Sequence, residues 1–146
     1  MIIDDSFEVD APLERVWALL KDIPRVATCI PNAEITEVVD DTTYRAKVSV
    51  KVGPVSVSYR ATIVVEGFDD AAHVARFTVK GAELRGRGGV TAKVVSTASA
   101  RDGSTHVDLH TDAQISGIVA TVGGRLIEGV AQKTVAQFAA NLARLV

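Results

Sequence analysis

Four polar residues that alternate along one segment have the types and spacing of a metal site: His106, Asp108, His110 and Asp112. Residues two apart on a β-strand project from the same face, so these imidazoles and carboxylates could share one metal ion. Neighbouring segments carry lysine and arginine at alternating positions, as a water-exposed sheet face does. We therefore interpret this alternation as a solvated face and keep a metal site as the alternative.

Cys29 is the single cysteine, so the chain can form no internal disulfide and fits a reducing compartment. A thiol becomes a nucleophile where a nearby base or cation lowers its pKa. No histidine lies near Cys29 in the sequence. We expect Cys29 to be a small buried residue rather than a nucleophile.

The glycine-rich segment 81–89 carries two cations, Arg85 and Arg87. It lacks the Gly-Lys-Ser/Thr ending of a phosphate-binding loop, and no helix follows it. A flexible hairpin tip with solvated charges is the simpler interpretation. The alternative is a contact of both arginines with an anionic lipid surface or an acidic partner protein.

The elements that position these residues follow from periodicity. Apolar residues recur every three or four positions over residues 118–145, which predicts one amphipathic helix about 40 Å long. Gly123-Gly124 lies inside this pattern and indicates either a close backbone approach or a kink at the helix start. Residues 2–10 alternate as one strand, residues 33–116 as six more, and two short helices are predicted between strands 1 and 2. We predict an α+β fold whose seven-stranded antiparallel sheet wraps around the long C-terminal helix.

The inner face of this sheet is predicted to hold almost no ionisable group. The exceptions are His73 and Glu83 at strand ends and Asp5 on the first strand. The other polar groups of the interior are hydroxyls, those of Tyr44, Tyr59, Ser96, Thr111 and Thr134. General acid–base catalysis needs an ionisable group within hydrogen-bond reach of the substrate. The interior instead suits an apolar molecule oriented by a few polar contacts, with a solid core as the alternative.

Length, charge and hydropathy indicate how many domains the chain has and which kinds of partner it is expected to lack. A chain of 146 residues without linkers or repeats predicts a single domain over residues 1–146. A net charge of −2 argues against a partner nucleic acid. The N-terminus lacks the features of a signal peptide, and no apolar run approaches the ~20 residues that span a bilayer. We predict a soluble, cytoplasmic protein.

Several motifs together resemble the CoxG family of carbon monoxide dehydrogenase accessory proteins. They are Phe7-x-Val9-x-Ala11-Pro12-x-x-x-Val16-Trp17, Cys29-Ile30-Pro31-Asn32-Ala33, Val52-Gly53-Pro54 and Gly117-x-x-Ala120-x-x-Gly123-x-Arg125. The first motif alone is typical of the wider START/Bet v 1-like (SRPBCC) superfamily, and the second and third narrow the resemblance. The family usually has glycine where this chain has Asn32, a residue that also tolerates a left-handed backbone.

The resemblance implies a helix-grip fold with an apolar cavity between the sheet and the long helix. It also implies an accessory role to a molybdenum-containing carbon monoxide dehydrogenase, in membrane recruitment or in handling a quinone-type lipid that accepts electrons. We therefore predict a non-catalytic protein that holds an isoprenoid quinone or other lipid and has no covalently bound cofactor and no metal. The alternatives are a polyketide cyclase or aromatase-like enzyme and a protein-interaction module with an unused cavity.

The predicted site contains no catalytic residue. The residues predicted to line the cavity are Trp17, Val48, Val57, Tyr59, Phe77, Val94, Leu109, Thr111, Val130, Thr134 and Phe138. Among them, Tyr59 and Thr111 are predicted to form hydrogen bonds with a carbonyl head group. Arg85 and Arg87 are predicted to contact the partner enzyme or the inner face of the membrane.

Overall fold

The computed structural model describes residues 1–146. The elements are β1 (Ile2–Val9), α1 (Leu13–Leu20), α2 (Ile23–Ala27), β2 (Ala33–Val38), β3 (Thr43–Val52), β4 (Val55–Asp69), β5 (Val74–Glu83), β6 (Gly89–Arg101), β7 (Ser104–Ile115), a 3-10 turn (Val119–Val122) and α3 (Gly124–Ala143). All neighbouring strands are antiparallel, and they form one seven-stranded sheet in the order β1-β7-β6-β5-β4-β3-β2. The predicted α+β architecture and element order are confirmed.

The C-terminal helix is shorter than predicted. α3 contains 20 residues, about 30 Å at the usual helical rise. Gly123 has φ +94, which L side chains rarely adopt, and it separates α3 from the 3-10 turn. The predicted kink is therefore a break, and Ile118 and Leu126 remain exposed outside the core. None of the helices combines the length and apolar composition needed to cross a bilayer.

The connection from α2 to β2 anchors the C-terminal end of α3. Cys29 is buried, as predicted, and its carbonyl oxygen accepts a hydrogen bond from Nδ2 of Asn141 at 3.0 Å. Asn32 has φ +58. The left-handed turn expected from the family resemblance is therefore present with asparagine in place of glycine.

Side chains alternate along the strands between a solvent-exposed outer face and a largely buried, apolar inner face, as predicted. On β3, Tyr44, Ala46 and Val52 are buried, whereas the lysines and arginine between them are exposed. On the outer face of β7, His106 lies 3.0 Å from Asp108, and His110 pairs with a carboxylate of β1. Those histidines thus lie in a charged outer surface.

The apolar core consists of three separate clusters. The largest joins β1, α1, β7 and the C-terminal end of α3. The other two are centred on Ile23, Tyr44 and Val65, and on Val52, Tyr59 and Val119. Leu142 is the one buried residue of α3. The helix is therefore held most firmly at its C-terminal end, whereas the apolar residues of its middle, among them Val130 and Val135, pack against the clusters only half-buried.

Candidate functional site

Small side chains form the centre of the sheet's inner face. Ala46, Ala61 and Gly81 are direct neighbours across β3, β4 and β5. Ala92 and Ala113 are neighbours across β6 and β7. Side chains of this size leave depth between the sheet and α3 that larger residues would fill.

Apolar side chains near this centre are only half-buried, although their strands lie inside the sheet. Phe77, Val79 and Val94 belong to β5 and β6, which are hydrogen-bonded to neighbouring strands on both sides. The side chains of these residues point to the face that α3 covers. Their remaining exposed area therefore lies on the inner face of the sheet.

The predicted lining residues on the sheet and on α3 lie on the inner face. Phe77, Val94 and Thr111 are consecutive neighbours across β5, β6 and β7. Val48 and Tyr59 form another cross-strand pair. The half-buried members of the predicted set are Val48, Val57, Phe77, Val94, Leu109, Thr111, Val130, Thr134 and Phe138.

Trp17 lies at the α1 end of the interior. Its Nε1–H donates a hydrogen bond to Oδ1 of Asp70 at 2.8 Å. Its ring packs edge-to-face on Phe68 at 6.0 Å, and Phe68 packs on Phe77 at 6.2 Å. Trp17 therefore closes this end of the interior and is separated from the lining residue Phe77 by another aromatic ring.

His73 belongs to the same junction, not to the interior. Its ring lies 5.4 Å from the Trp17 ring, and its Nε2 lies 2.7 Å from Oε1 of Glu14 on α1. Hydrogen bonds from Lys21 and Trp17 hold the pKa of Asp70 below its usual value. These polar contacts join α1 to the turn between β4 and β5.

Asp5 lies on the edge strand β1, in a pocket shared with Gln132 and Val135 of α3. Burial raises the pKa of this carboxyl group, and the negative charge of Asp4 raises it further. Its position between the sheet edge and the helix keeps it outside the centre of the interior. Of the ionisable groups considered from the sequence, Asp5 and His73 are therefore peripheral.

Tyr59 and Thr111 cannot contact the same head group. Tyr59 lies opposite Glu83, whereas Thr111 belongs to the row that contains Phe77. Glu83 and Phe77 are six positions apart on β5, which corresponds to about 20 Å along the strand. The sequence placed both hydroxyls on the inner face but could not show this separation, since it depends on strand register.

The hydroxyl of Tyr59 is buried without a hydrogen-bond partner. The residue is 6% exposed, and its oxygen has no protein partner. Burial raises the pKa of Tyr59, and the negative charge of Glu83 raises it further, so the hydroxyl keeps its proton at neutral pH. An unpaired buried hydroxyl is costly. It is therefore well suited to form a hydrogen bond with a bound molecule.

Glu83 faces the interior beside Tyr59 and is held by the glycine-rich loop. The backbone N–H of Gly88 donates a hydrogen bond to Oε2 of Glu83. A Cβ atom at Gly86, Gly88 or Gly117 would lie 2.5–2.9 Å from that oxygen. We call Glu83 with these three glycines the carboxylate cradle.

The carboxylate cradle is a candidate functional feature that the sequence analysis does not predict. The sequence favours a flexible hairpin tip with solvated charges for segment 81–89. Arg85 and Arg87 are indeed exposed, but the glycines between and after them make room for Glu83. The available signal is a Gly-x-Gly repeat that begins three residues after an inward-facing acidic residue.

An open pocket of about 650 Å³ lies at this end of the molecule. Val50, Val57 and Ile118 line it together with Glu83 and with mostly polar residues, among them Lys47, Lys51 and Arg85. The Cβ of an alanine at Gly53 would lie 3.3 Å from Leu126 of α3, so the β3–β4 turn lies close to the helix here. The carboxylate cradle thus borders an opening between the hairpin and the start of the C-terminal segment.

Solved structures share this fold along nearly the whole chain. A conserved protein from Geobacillus kaustophilus is 25% identical, with a TM-score of 0.86, and the match covers 99% of this chain and 93% of that one. The Zhui aromatase/cyclase from a Streptomyces species is 16% identical, with a TM-score of 0.63 and coverage of 99% and 92%. A START superfamily protein from Mycobacterium smegmatis has the same identity and TM-score, with coverage of 99% and 96%. These similarities establish the helix-grip fold of the START/Bet v 1-like superfamily.

A search of curated proteins gave no match. The model of the CoxG family, the G-subunit family of carbon monoxide dehydrogenase, matches residues 6–146. This match covers every strand except the start of β1, together with all the helices and the carboxylate cradle. The chain therefore belongs to the CoxG family of carbon monoxide dehydrogenase.

Proposed function

We propose that this chain holds a hydrophobic molecule between α3 and the inner face of the sheet and does not transform it. The observation that carries the proposal is the half-burial of Phe77, Val79 and Val94 on strands that lie inside the sheet. A solid core would bury these side chains, because protein interiors are packed about as densely as organic crystals. Their open inner surface is available to an apolar ligand.

The distribution of polar groups supports a neutral, largely apolar ligand. Small and branched apolar residues dominate the inner face; its polar groups are scattered hydroxyls, with Glu83 beside Tyr59 at one end. Ligand pockets commonly combine an apolar lining with a few orienting polar groups. An isoprenoid quinone or another lipid with a small polar head has this chemistry.

We further propose an accessory role to a carbon monoxide dehydrogenase-type enzyme. Family membership supports the association, and the exposed Arg85, which lines the open pocket, and the exposed Arg87 beside it in sequence supply a charged contact surface. That surface would meet the partner enzyme, or the inner face of the membrane, while the ligand enters or leaves nearby.

An enzyme of the aromatase/cyclase type is the second candidate. Its specific support is the inward-facing carboxylate of Glu83 next to the phenol of Tyr59, since acid–base chemistry uses such groups. We favour binding because the centre of the interior contains no such pair, and His73 and Asp5 lie at its periphery. If mass spectrometry shows that a bound molecule is converted to a product during incubation with the protein, the enzyme hypothesis is favoured over binding alone.

Filling the interior tests the proposal. Thr134→Trp places an indole on the inner face of α3, where the native side chain is half-buried. We expect the affinity for the neutral fluorescent probe N-phenyl-1-naphthylamine to fall at least about tenfold, while the melting temperature changes by only a few degrees because the ring enters existing space.

The exposed neighbour Lys133 supplies the matched control, because Lys133→Trp adds the same ring on the outer side of the helix. This control should bind the probe as the unmodified chain does. If the unmodified chain fails to bind the probe and Thr134→Trp strongly destabilises the protein, the interior is solid and the proposal is wrong.

A further inference from the structure

We propose that Tyr59 and the carboxylate cradle form a head-group site that selects neutral molecules with hydroxyl donors, such as phenols and hydroquinones. In this site, anionic lipids and molecules that offer only a carbonyl bind more weakly. The inference rests on the proposed ligand-binding function and identifies the chemical class of the head group.

The geometry brings one donor and one acceptor to the same place. Tyr59 and Glu83 are direct cross-strand neighbours on β4 and β5, and both side chains project from the inner face. The hydroxyl of Tyr59 is buried and has no protein partner. Glu83 lines the open pocket, and its cross-strand neighbour Tyr59 is buried beside it.

The protein is built to keep the carboxylate in this position. The N–H of Gly88 binds Oε2 of Glu83, and the absence of side chains at Gly86, Gly88 and Gly117 leaves the required space. No lysine, arginine or histidine forms an ion pair with Glu83. The carboxylate is therefore held by the backbone and not by an ion pair, although Lys47, Lys51 and Arg85 line the same pocket.

Head-group selectivity follows from what a carboxylate can accept. An ionised carboxylate has acceptor oxygens and no donor, so it forms hydrogen bonds with hydroxyl groups but not with a ketone oxygen. Hydrogen bonds to a charged acceptor are stronger than neutral ones. A hydroxyl group that donates to Glu83 can also accept from Tyr59, which satisfies both protein groups at once.

Repulsion by the Glu83 carboxylate weakens the binding of anionic head groups. A second carboxylate placed beside Glu83 would meet a like charge in a partly buried site, where water screens the interaction less than at the surface. Fatty acids therefore bind more weakly than alcohols of equal chain length. The same reasoning predicts that a hydroquinone binds more tightly than the corresponding quinone.

Three ligands with matched ten-carbon chains test this selectivity: 1-decanol, 2-decanone and decanoate. The affinity of each ligand is measured at pH 7.5 by its competition with bound N-phenyl-1-naphthylamine. The assay is run on the unmodified chain, on Glu83→Gln and on the exposed control Glu34→Gln. For the unmodified chain we expect decanol to bind more tightly than decanone, and decanoate to bind at least about tenfold more weakly than decanol.

Glu83→Gln keeps the size of the side chain and an acceptor for the N–H of Gly88, so the fold should persist. In this variant we expect decanoate binding to improve about tenfold and the preference for decanol over decanone to shrink. Glu34→Gln should leave all three affinities unchanged, because residue 34 is exposed on β2.

Two other outcomes are distinguishable. If the probe and the ligands bind but decanoate binds the unmodified chain as tightly as decanol, or Glu83→Gln changes nothing, the head-group inference is wrong and the proposed binding function stands. If neither the probe nor any of the three ligands binds the unmodified chain, the proposed function is wrong and the inference falls with it.

Discussion

Replacing Gly88 with alanine is expected to lower the free energy of unfolding by about 3 kcal/mol, as overpacking of a tightly filled site does. The new Cβ would lie 2.5 Å from three atoms: Cα of Gly117, the carbonyl oxygen of Ser116 and Oε2 of Glu83. Two of these atoms belong to the backbone, so a change of rotamer cannot relieve the clash. Thermal unfolding followed by circular dichroism should show a melting temperature about 10 °C lower.

Gly129→Ala is the matched control for this experiment. Gly129 lies inside α3, and no atom would come within 4 Å of an added Cβ. Alanine is favoured over glycine in a helix by about 1 kcal/mol, so this variant should melt a few degrees higher. Equal melting temperatures for Gly88→Ala and the unmodified chain would contradict a closely packed carboxylate cradle.

Leu142→Ala is expected to lower the free energy of unfolding by about 3 kcal/mol, because it opens a cavity in the largest cluster of the core. Leu142 is 0% exposed and packs in the cluster formed with β1, α1 and β7. This cluster holds the C-terminal end of α3 against the rest of the fold. Urea unfolding monitored by tryptophan fluorescence measures the change, since Trp17 is buried.

Leu126→Ala removes the same atoms at the other end of α3 and should cost less than about 1 kcal/mol. Leu126 is 45% exposed, so little packing is lost. The difference between the two variants measures how unevenly the helix is held. Equal losses would indicate that α3 packs tightly along its whole length, which would leave no space for a ligand beneath it.

The fold could be predicted from local patterns in the sequence. The alternation of charged and apolar residues along β3 to β7 predicted the two faces of the sheet correctly, because each strand has one solvent-exposed and one buried side. The predicted length of the C-terminal helix was wrong, because α3 covers Gly124–Ala143 and not residues 118–145. Its apolar period continues through Gly123, but the left-handed backbone of that glycine breaks the helix. Periodicity does not report the backbone conformation of a single residue.

The candidate site could be predicted only in part. The inner-face position of Tyr59 follows from parity alone, yet its proximity to Glu83 and its separation from Thr111 depend on strand register. The carboxylate cradle joins the β5–β6 loop to Gly117, which follows β7. A contact between segments that are distant in sequence leaves no local pattern.

Native mass spectrometry of the chain purified without detergent from its own cells tests the central claim most directly. We predict a peak with one noncovalently bound, neutral, apolar molecule that is lost on denaturation and recovered in an organic extract. Thr134→Trp purified in the same way should show only the mass of the polypeptide. Finding only the bare polypeptide mass for the unmodified chain, even after incubation with a lipid extract of those cells, would contradict a ligand-holding interior.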